Sequence, residues 1–197
     1  LTGIGATTAA VIGASHAGRV PDYLAQLQDA DSPLVAGPNP LLAELRGDLH
    51  THTEWSDGSS PLEEMALEAA RLGREYLAIT DHSPRLRIAN GLNTQRRREQ
   101  MEHIAALNEA LGDITLLAGA EVDILDDGSL DGEPDVLGEL DVVVASVHSK
   151  LAMDADAMTL RMVAAVANPH TDVLGHCTGR LVQGDRGQRA QSRFDAE

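Results

Sequence analysis

The sequence is short of aromatic side chains, cysteine and positive charge, and each shortage excludes something. Aromatics make up 2% of its 197 residues, so a core must come from Ala, Val, Leu and Ile, which the 43% apolar content permits. The single cysteine, Cys177, rules out an internal disulfide and fits a reducing, cytoplasmic setting. It also leaves too few thiolates for a structural zinc site. No apolar run approaches the ~20 residues of a membrane span, so no membrane partner is expected. No signal peptide is visible. The chain begins at Leu1 rather than Met, and its natural N-terminus is expected to lie upstream. Lys and Arg number 15 against 31 Asp and Glu, a net charge of −16. Such a surface repels polyanions at long range. A phosphate-ester substrate would need a local cationic device, and bound metals would serve. Neither a G-x-S-x-G nucleophile elbow nor a phosphate-cradling G-x-x-x-x-G-K-[ST] loop is present.

Three segments are expected. Residues 1–30 form a small helical piece, with Gly3 and Gly5 in LTGIG ahead of a helical pattern and a second short helix starting near Pro21. Residues 31–46, rich in Pro, Asp, Gly and Asn, read as a linker. From Gly47 strands alternate with helices. Strands are predicted near Gly47–His50, Tyr76–Thr80, Ile114–Leu117, Asp141–Ser146 and Asp172–Leu174, and helices over Pro61–Leu72, Thr94–Leu111 and Ala155–Ala167. Glu121–Leu140 reads as an acidic loop with one short turn. This alternation argues for a parallel α/β sheet or barrel with its active groups at the C-terminal strand ends.

The chemistry gathers at those ends. In GDLHTHTEWSDGS, His50 and His52 lie two apart on extended backbone, which points both imidazoles to one side, and Asp57 follows in a turn that Gly58 permits. In AITDHS, an apolar strand ends in Asp81 and His82. Asp81 caps a turn, or it orients a metal-ligating His82. In LLAGAEVDI, Glu121 sits in apolar surroundings just after the third strand, where a carboxylate is costly unless paired or metal-bound. In VVVASVHSK and DVLGHCTGR, His148 and His176 again follow strands; alone, each is as readily a satisfied buried histidine as a ligand. Repetition decides among these readings, because five successive predicted strands each end in His or Glu. Of eight histidines only His16, His103 and His170 fall elsewhere. A convergent ring of nitrogen and oxygen ligands suits Zn, Mn or Fe, in catalytic sites with open positions.

The order HTH, DH, GAEVDI, SVHSK, GHCTGR resembles the PHP (polymerase and histidinol phosphatase) superfamily from Gly47 to the end of the chain. The likeness is strongest to the PHP domain of bacterial family X DNA polymerases and their polymerase-less actinobacterial relatives. The resemblance implies a distorted (β/α)7 barrel with up to three divalent metals. It implies phosphoester hydrolysis, of small phosphomonoesters or at DNA 3′ ends as an exonuclease; a catalytically silent module in a DNA-repair assembly is the rival. By the same resemblance His50, His52 and Glu121 hold the first metal. Glu121 bridges to a second with His148 and His176, and Asp57 and His82 hold the third. Glu121 is the catalytic hub, and Lys150 and Arg180 either grip the substrate phosphate or are solvated surface charges. The family's final Asp-x-His does not follow His176, and FDAE at the end resembles the start of another helix. A barrel truncated after about five strands is therefore expected. LTGIGATTAAVI resembles the second half of a helix-hairpin-helix. There the backbone at Gly3, Ile4, Gly5 and Thr7 would meet a DNA phosphate, with packing against protein as the rival role. Arg19 is the only basic residue in the first 30.

Overall fold

The computed structural model describes residues 5–21, 24, 40–180 and 192–195. The chain divides into two compact units, Leu1–Pro40 and Leu41–Glu197. In the first, helix α1 (Ala6–His16) follows an extended Gly5 and buries none of its residues. Gly3 and Ile4, most of the helix expected after Pro21, and residues 31–39 of the expected linker lie outside the described residues. At the end of that linker, Pro40–Glu44 form a 3-10 turn.

The second unit is an α/β half-barrel. Strands β1 (Gly47–Thr51), β2 (Tyr76–Ile79), β3 (Thr115–Asp123), β4 (Val142–Ser146) and β5 (Val173–Leu174) pair in chain order, all parallel, in one curled sheet. Helices α2 (Leu62–Arg71), α3 (Thr94–Ala110), α4 (Pro134–Leu137) and α5 (Ala155–Val166) supply the crossovers. The Asn93 side chain caps α3 by accepting from the Arg96 N–H at 2.9 Å, and Asp154 caps α5 through the Asp156 N–H at 3.1 Å.

Side-chain alternation assigns the two faces. Leu77, Ile79, Leu116 and Ala118 pack with Leu62, Ala66 and Ile104 of α2 and α3. Ala120, Val122, Val143 and Ala145 pack with Met158 and Met162 of α5. Ala78, Val142 and Val144 form a separate cluster with Leu117 and Val173 on the opposite, concave face. With both faces covered, β4 is apolar almost throughout and all five of its residues are buried.

One strand departs from its predicted length. β3 runs nine residues, to Asp123, rather than stopping near Leu117. Thr115–Ala118 pair with β2, whereas Gly119–Asp123 pair with β4. Each neighbour uses a different half, so β4 is displaced along the axis relative to β2. That stagger is what a sheet curling toward a barrel requires. Glu121 is therefore a strand residue, also bridged to His82 of the β2 segment, and not the first residue of a loop.

Candidate metal centre

By the same alternation Leu117, Glu121 and Asp123 share the concave face of β3, which places two carboxylates inside the curl at its C-terminal end. Glu121 is 2% exposed. Five imidazoles surround it. Its Oε2 lies 3.4 Å from His50 Nε2, 3.4 Å from His52 Nε2 and 3.2 Å from His82 Nδ1. Its Oε1 lies 2.9 Å from His176 Nε2 and 3.2 Å from His148 Nε2. Each oxygen thus faces its own set of ring nitrogens. Asp57 closes the far side, its Oδ1 3.5 Å from His82 Nε2 and 3.8 Å from His52 Nδ1. The β1–β2 register shifts between Asp48 and Thr51, in the segment that carries His50.

The electrostatics couple the buried carboxylate to the imidazoles around it. Burial would push the Glu121 carboxyl up, but hydrogen bonds from His148, His176, His50 and His52 overcome it and hold the group far below the usual carboxylate range. Burial pulls His148 down, yet its hydrogen bonds to Asp123 and Glu121 prevail and raise it to about 9. His52 is raised in the same way, burial being outweighed by Glu121. His82 is lowered, first by burial and then by the neighbouring His52 and His148, against the pull of Glu121. The donor set fits divalent metals. Two buried ring nitrogens, His52 Nδ1 and His82 Nδ1, make no hydrogen bond although each lies near a carboxylate. Three groups each offer ligand atoms within 4.8 Å of one another: His50, His52 and Glu121; His52, Asp57 and His82; His82, Glu121 and His148. His176 touches the cluster through Glu121 Oε1 from an exposed rim position.

Comparison with known proteins agrees with this geometry: the family model for the PHP domain matches residues 48–193. The chain belongs to the PHP domain family. It is 42% identical over 156 residues to the DNA polymerase/3'-5' exonuclease PolX of Bacillus subtilis (strain 168), which covers 79% of this chain and 27% of that protein. It is 33% identical over 134 residues to a probable phosphatase of Thermoanaerobacter sp. (strain X514), covering 66% of this chain and 52% of the relative. A probable phosphatase of Caldicellulosiruptor bescii is 29% identical over 146 residues, covering 72% and 58%. The chain thus spans about a quarter of the first relative and about half of the phosphatases.

Within this PHP domain, much of the support for the ring is formed by residues that the sequence reading leaves without a role. Asp123 contacts His148 Nδ1 directly, which turns Nε2 toward Glu121. Its signal was the two-residue spacing from Glu121. Among the described residues no hydrogen bond joins Asp81 to the His82 ring, whose nitrogens face Asp57 and Glu121. The buried Asp81 carboxylate instead accepts from the Thr53 N–H at 2.8 Å, Thr53 Oγ1 at 2.7 Å, Ser56 Oγ and Gln100 Nε2 at 2.6 Å. It therefore holds the loop that carries Asp57. That loop is tight: a Cβ at Gly58 would lie 2.4 Å from the His52 carbonyl oxygen. Buried Arg97 of α3 donates to the carbonyls of Gly119, Asp81 and His82 at 2.7, 2.6 and 3.2 Å, tying β2 to β3 beside the site. Arg161 of α5 likewise donates to the carbonyls of Ile124, Leu125 and Ser149.

None of the remaining candidates makes a hydrogen bond or ion pair with a residue of the ring among the described residues. The exposed Lys150 ammonium pairs with Asp126. Arg180 is exposed, and its guanidinium has no ion pair among the described residues. Thr7 lies in the first turn of α1, in the other unit. His103 pairs with Glu63 at 2.8 Å, and His16 ends α1. Among the described residues no helix is long and apolar enough to cross a membrane.

Proposed function

We propose that this PHP domain hydrolyses phosphoester bonds with divalent metals held by His50, His52, Asp57, His82, Glu121, His148 and His176, and that its substrate is the 3′ end of a DNA strand. The observation that carries the reading is the convergence of five imidazoles from four strand ends on one buried carboxylate. A carboxylate there would be costly without a cation, and two oxygens facing separate ligand sets suit a bridge. When bound, such metals supply Lewis-acid polarisation of the phosphoryl group and a water whose pKa falls to about 7. The chain's own residues do the rest. Asp123 fixes which His148 nitrogen faces the site, and Asp81 and Arg97 hold the Asp57 loop and the β2 and β3 ends in place. Lys150 and Arg180 at the rim are the candidate phosphate-binding cations; Lys150 would have to exchange Asp126 for the substrate.

The name of the Bacillus subtilis relative favours DNA ends. A second reading, a small-molecule phosphomonoesterase, is favoured by the probable phosphatases and by the net charge of −16. Both are tested on the full-length protein by measuring bound metal, turnover of p-nitrophenyl phosphate and trimming of a 3′-labelled oligonucleotide. Strand trimming in excess of monoester turnover is expected. Glu121→Ala should lose metal and reduce both activities at least about 100-fold, because the carboxylate serves two ligand groups. Unchanged metal content and turnover in that variant would remove the assignment.

A further inference from the structure

Arginine is most concentrated in one acid-free segment. Between Ser83 and Arg98 there is no Asp or Glu, and Arg85, Arg87, Arg96, Arg97 and Arg98 all fall there, although the whole sequence holds 31 acidic and 15 basic residues. Its first part is the loop that leaves the ring at His82 and returns to it, the Leu92 N–H donating to the His82 carbonyl at 2.8 Å. At its tip Ile88 is 94% exposed, more than any other large apolar side chain among the described residues.

The loop cannot turn Ile88 inward. Ala89 and Leu92, which follow it, are buried, and before it the Arg85 N–H donates to Asp131 at 2.7 Å. Asn90 adopts a left-handed φ of 55° and donates from Nδ2 to the Trp55 carbonyl at 3.2 Å. A Cβ at Gly91 would lie 1.8 Å from the Ser83 carbonyl oxygen. Three of the five arginines have structural work. Arg97 is buried on backbone carbonyls, and Arg98 pairs with Glu139 at 2.9 Å. Arg96 donates to the carbonyls of Asn90 and Trp55 and lies 6.0 Å over the Trp55 ring. Arg85 and Arg87 are exposed, and among the described residues neither side chain has an ion pair, although Asp126 feels the Arg85 charge. An exposed apolar side chain next to two unpaired guanidiniums is thus carried on a loop whose two ends meet at His82, on a chain whose charge otherwise repels polyanions.

We propose that the Pro84–Asn90 loop binds a single-stranded DNA end. Arg85 and Arg87 contact phosphates upstream of the bond to be cut, and Ile88 packs against a base. This rests on the DNA reading of the site and extends it. A small monoester offers one phosphate, which the metals would take, and leaves nothing for the loop to hold. A strand offers further phosphates for the arginines and a base for the apolar tip.

The test uses the metal-loaded full-length protein and a fluorescent oligodeoxynucleotide with 3′-terminal phosphorothioates, which slow cleavage. Fluorescence anisotropy over a salt series should show the Arg85→Ala/Arg87→Ala double variant binding about 10-fold more weakly, with a log–log salt slope smaller by about 1.4 for two lost single-strand phosphate contacts. Ile88→Ser should weaken binding about 5-fold without changing the slope. Turnover of p-nitrophenyl phosphate should stay within about 2-fold of the parent protein in all variants, since these side chains touch no ligand. Unchanged oligonucleotide affinity and slope in the variants, or no binding by the parent protein, would overturn the proposal. So would a fall in monoester turnover equal to the loss of binding, which would make the loop a support of the metal centre. Loop-dependent binding without trimming keeps this surface and removes the exonuclease reading; trimming indifferent to the loop variants does the reverse.

Discussion

At the scale of single residues, the site depends on which atom of each imidazole is free. His148 has a carboxylate on both nitrogens, Asp123 at Nδ1 and Glu121 at Nε2. Asp123→Ala should leave the ring in place but loosen His148, lowering metal affinity about 10- to 100-fold. Isothermal titration with Zn or Mn would read this, and an unchanged affinity would deny Asp123 its positioning role. The metal-free protein should also show the linkage sign of His148. Its folded pKa of about 9 exceeds the ordinary value of 6.5. Its contribution to stability is therefore fully present below pH 6.5 and is lost as pH rises through 9. Chemical denaturation of the chelated protein should find lower stability at pH 10 than at pH 6, with the difference reduced in His148→Gln. The residues of the ring were singled out in the sequence because most of them follow a predicted strand, Asp57 being singled out by its turn at Gly58. The Lys150–Asp126 pair was not, because no local pattern relates positions 24 apart in the chain.

At the scale of elements, the apolar runs located all five strands, while the reach of β3 was hidden. Ile114–Leu117 reads as a complete short strand, and nothing local says that a second neighbour will pair with Gly119–Asp123. Register between staggered strands is set by tertiary packing, which a single sequence does not display. The arginines of α3 were equally opaque. Nothing in the run RRR marks out its middle residue, yet Arg97 is buried, and burial lowers its pKa to about 10. Its guanidinium stays charged at neutral pH and satisfies carbonyls at the end of β2 and within β3. Arg97→Met keeps much of the volume and abandons those carbonyls, so it should cost about 3 kcal/mol in urea unfolding. It should also weaken metal binding, since the His82 backbone loses an anchor. A loss below about 0.5 kcal/mol would show that water replaces the guanidinium.

At the scale of the whole domain, folding and metal binding are one problem. Curling the sheet brings the strand ends together, and with them a buried carboxylate and five imidazoles that compete for protons when no cation is present. A metal that binds only the folded ring stabilises it by mass action, about 4 kcal/mol for one site at 1,000 times its Kd. For a domain of this size that corresponds to a Tm rise of roughly 8–16 °C per site. Chelation should therefore lower Tm by at least that much for one occupied site, and re-addition of Mn or Zn should restore it. The restored Tm should fall again toward pH 5, where protons displace metal from the imidazoles. Differential scanning fluorimetry would test both. If chelation left Tm unchanged, protonated histidines alone would be balancing Glu121, and the ring would be a hydrogen-bonded core rather than a metal centre. The Glu121→Ala variant separates the cases once more. In a metal centre it removes the response to added metal, whereas in a hydrogen-bonded core it lowers the Tm of the chelated protein and leaves no metal response to lose.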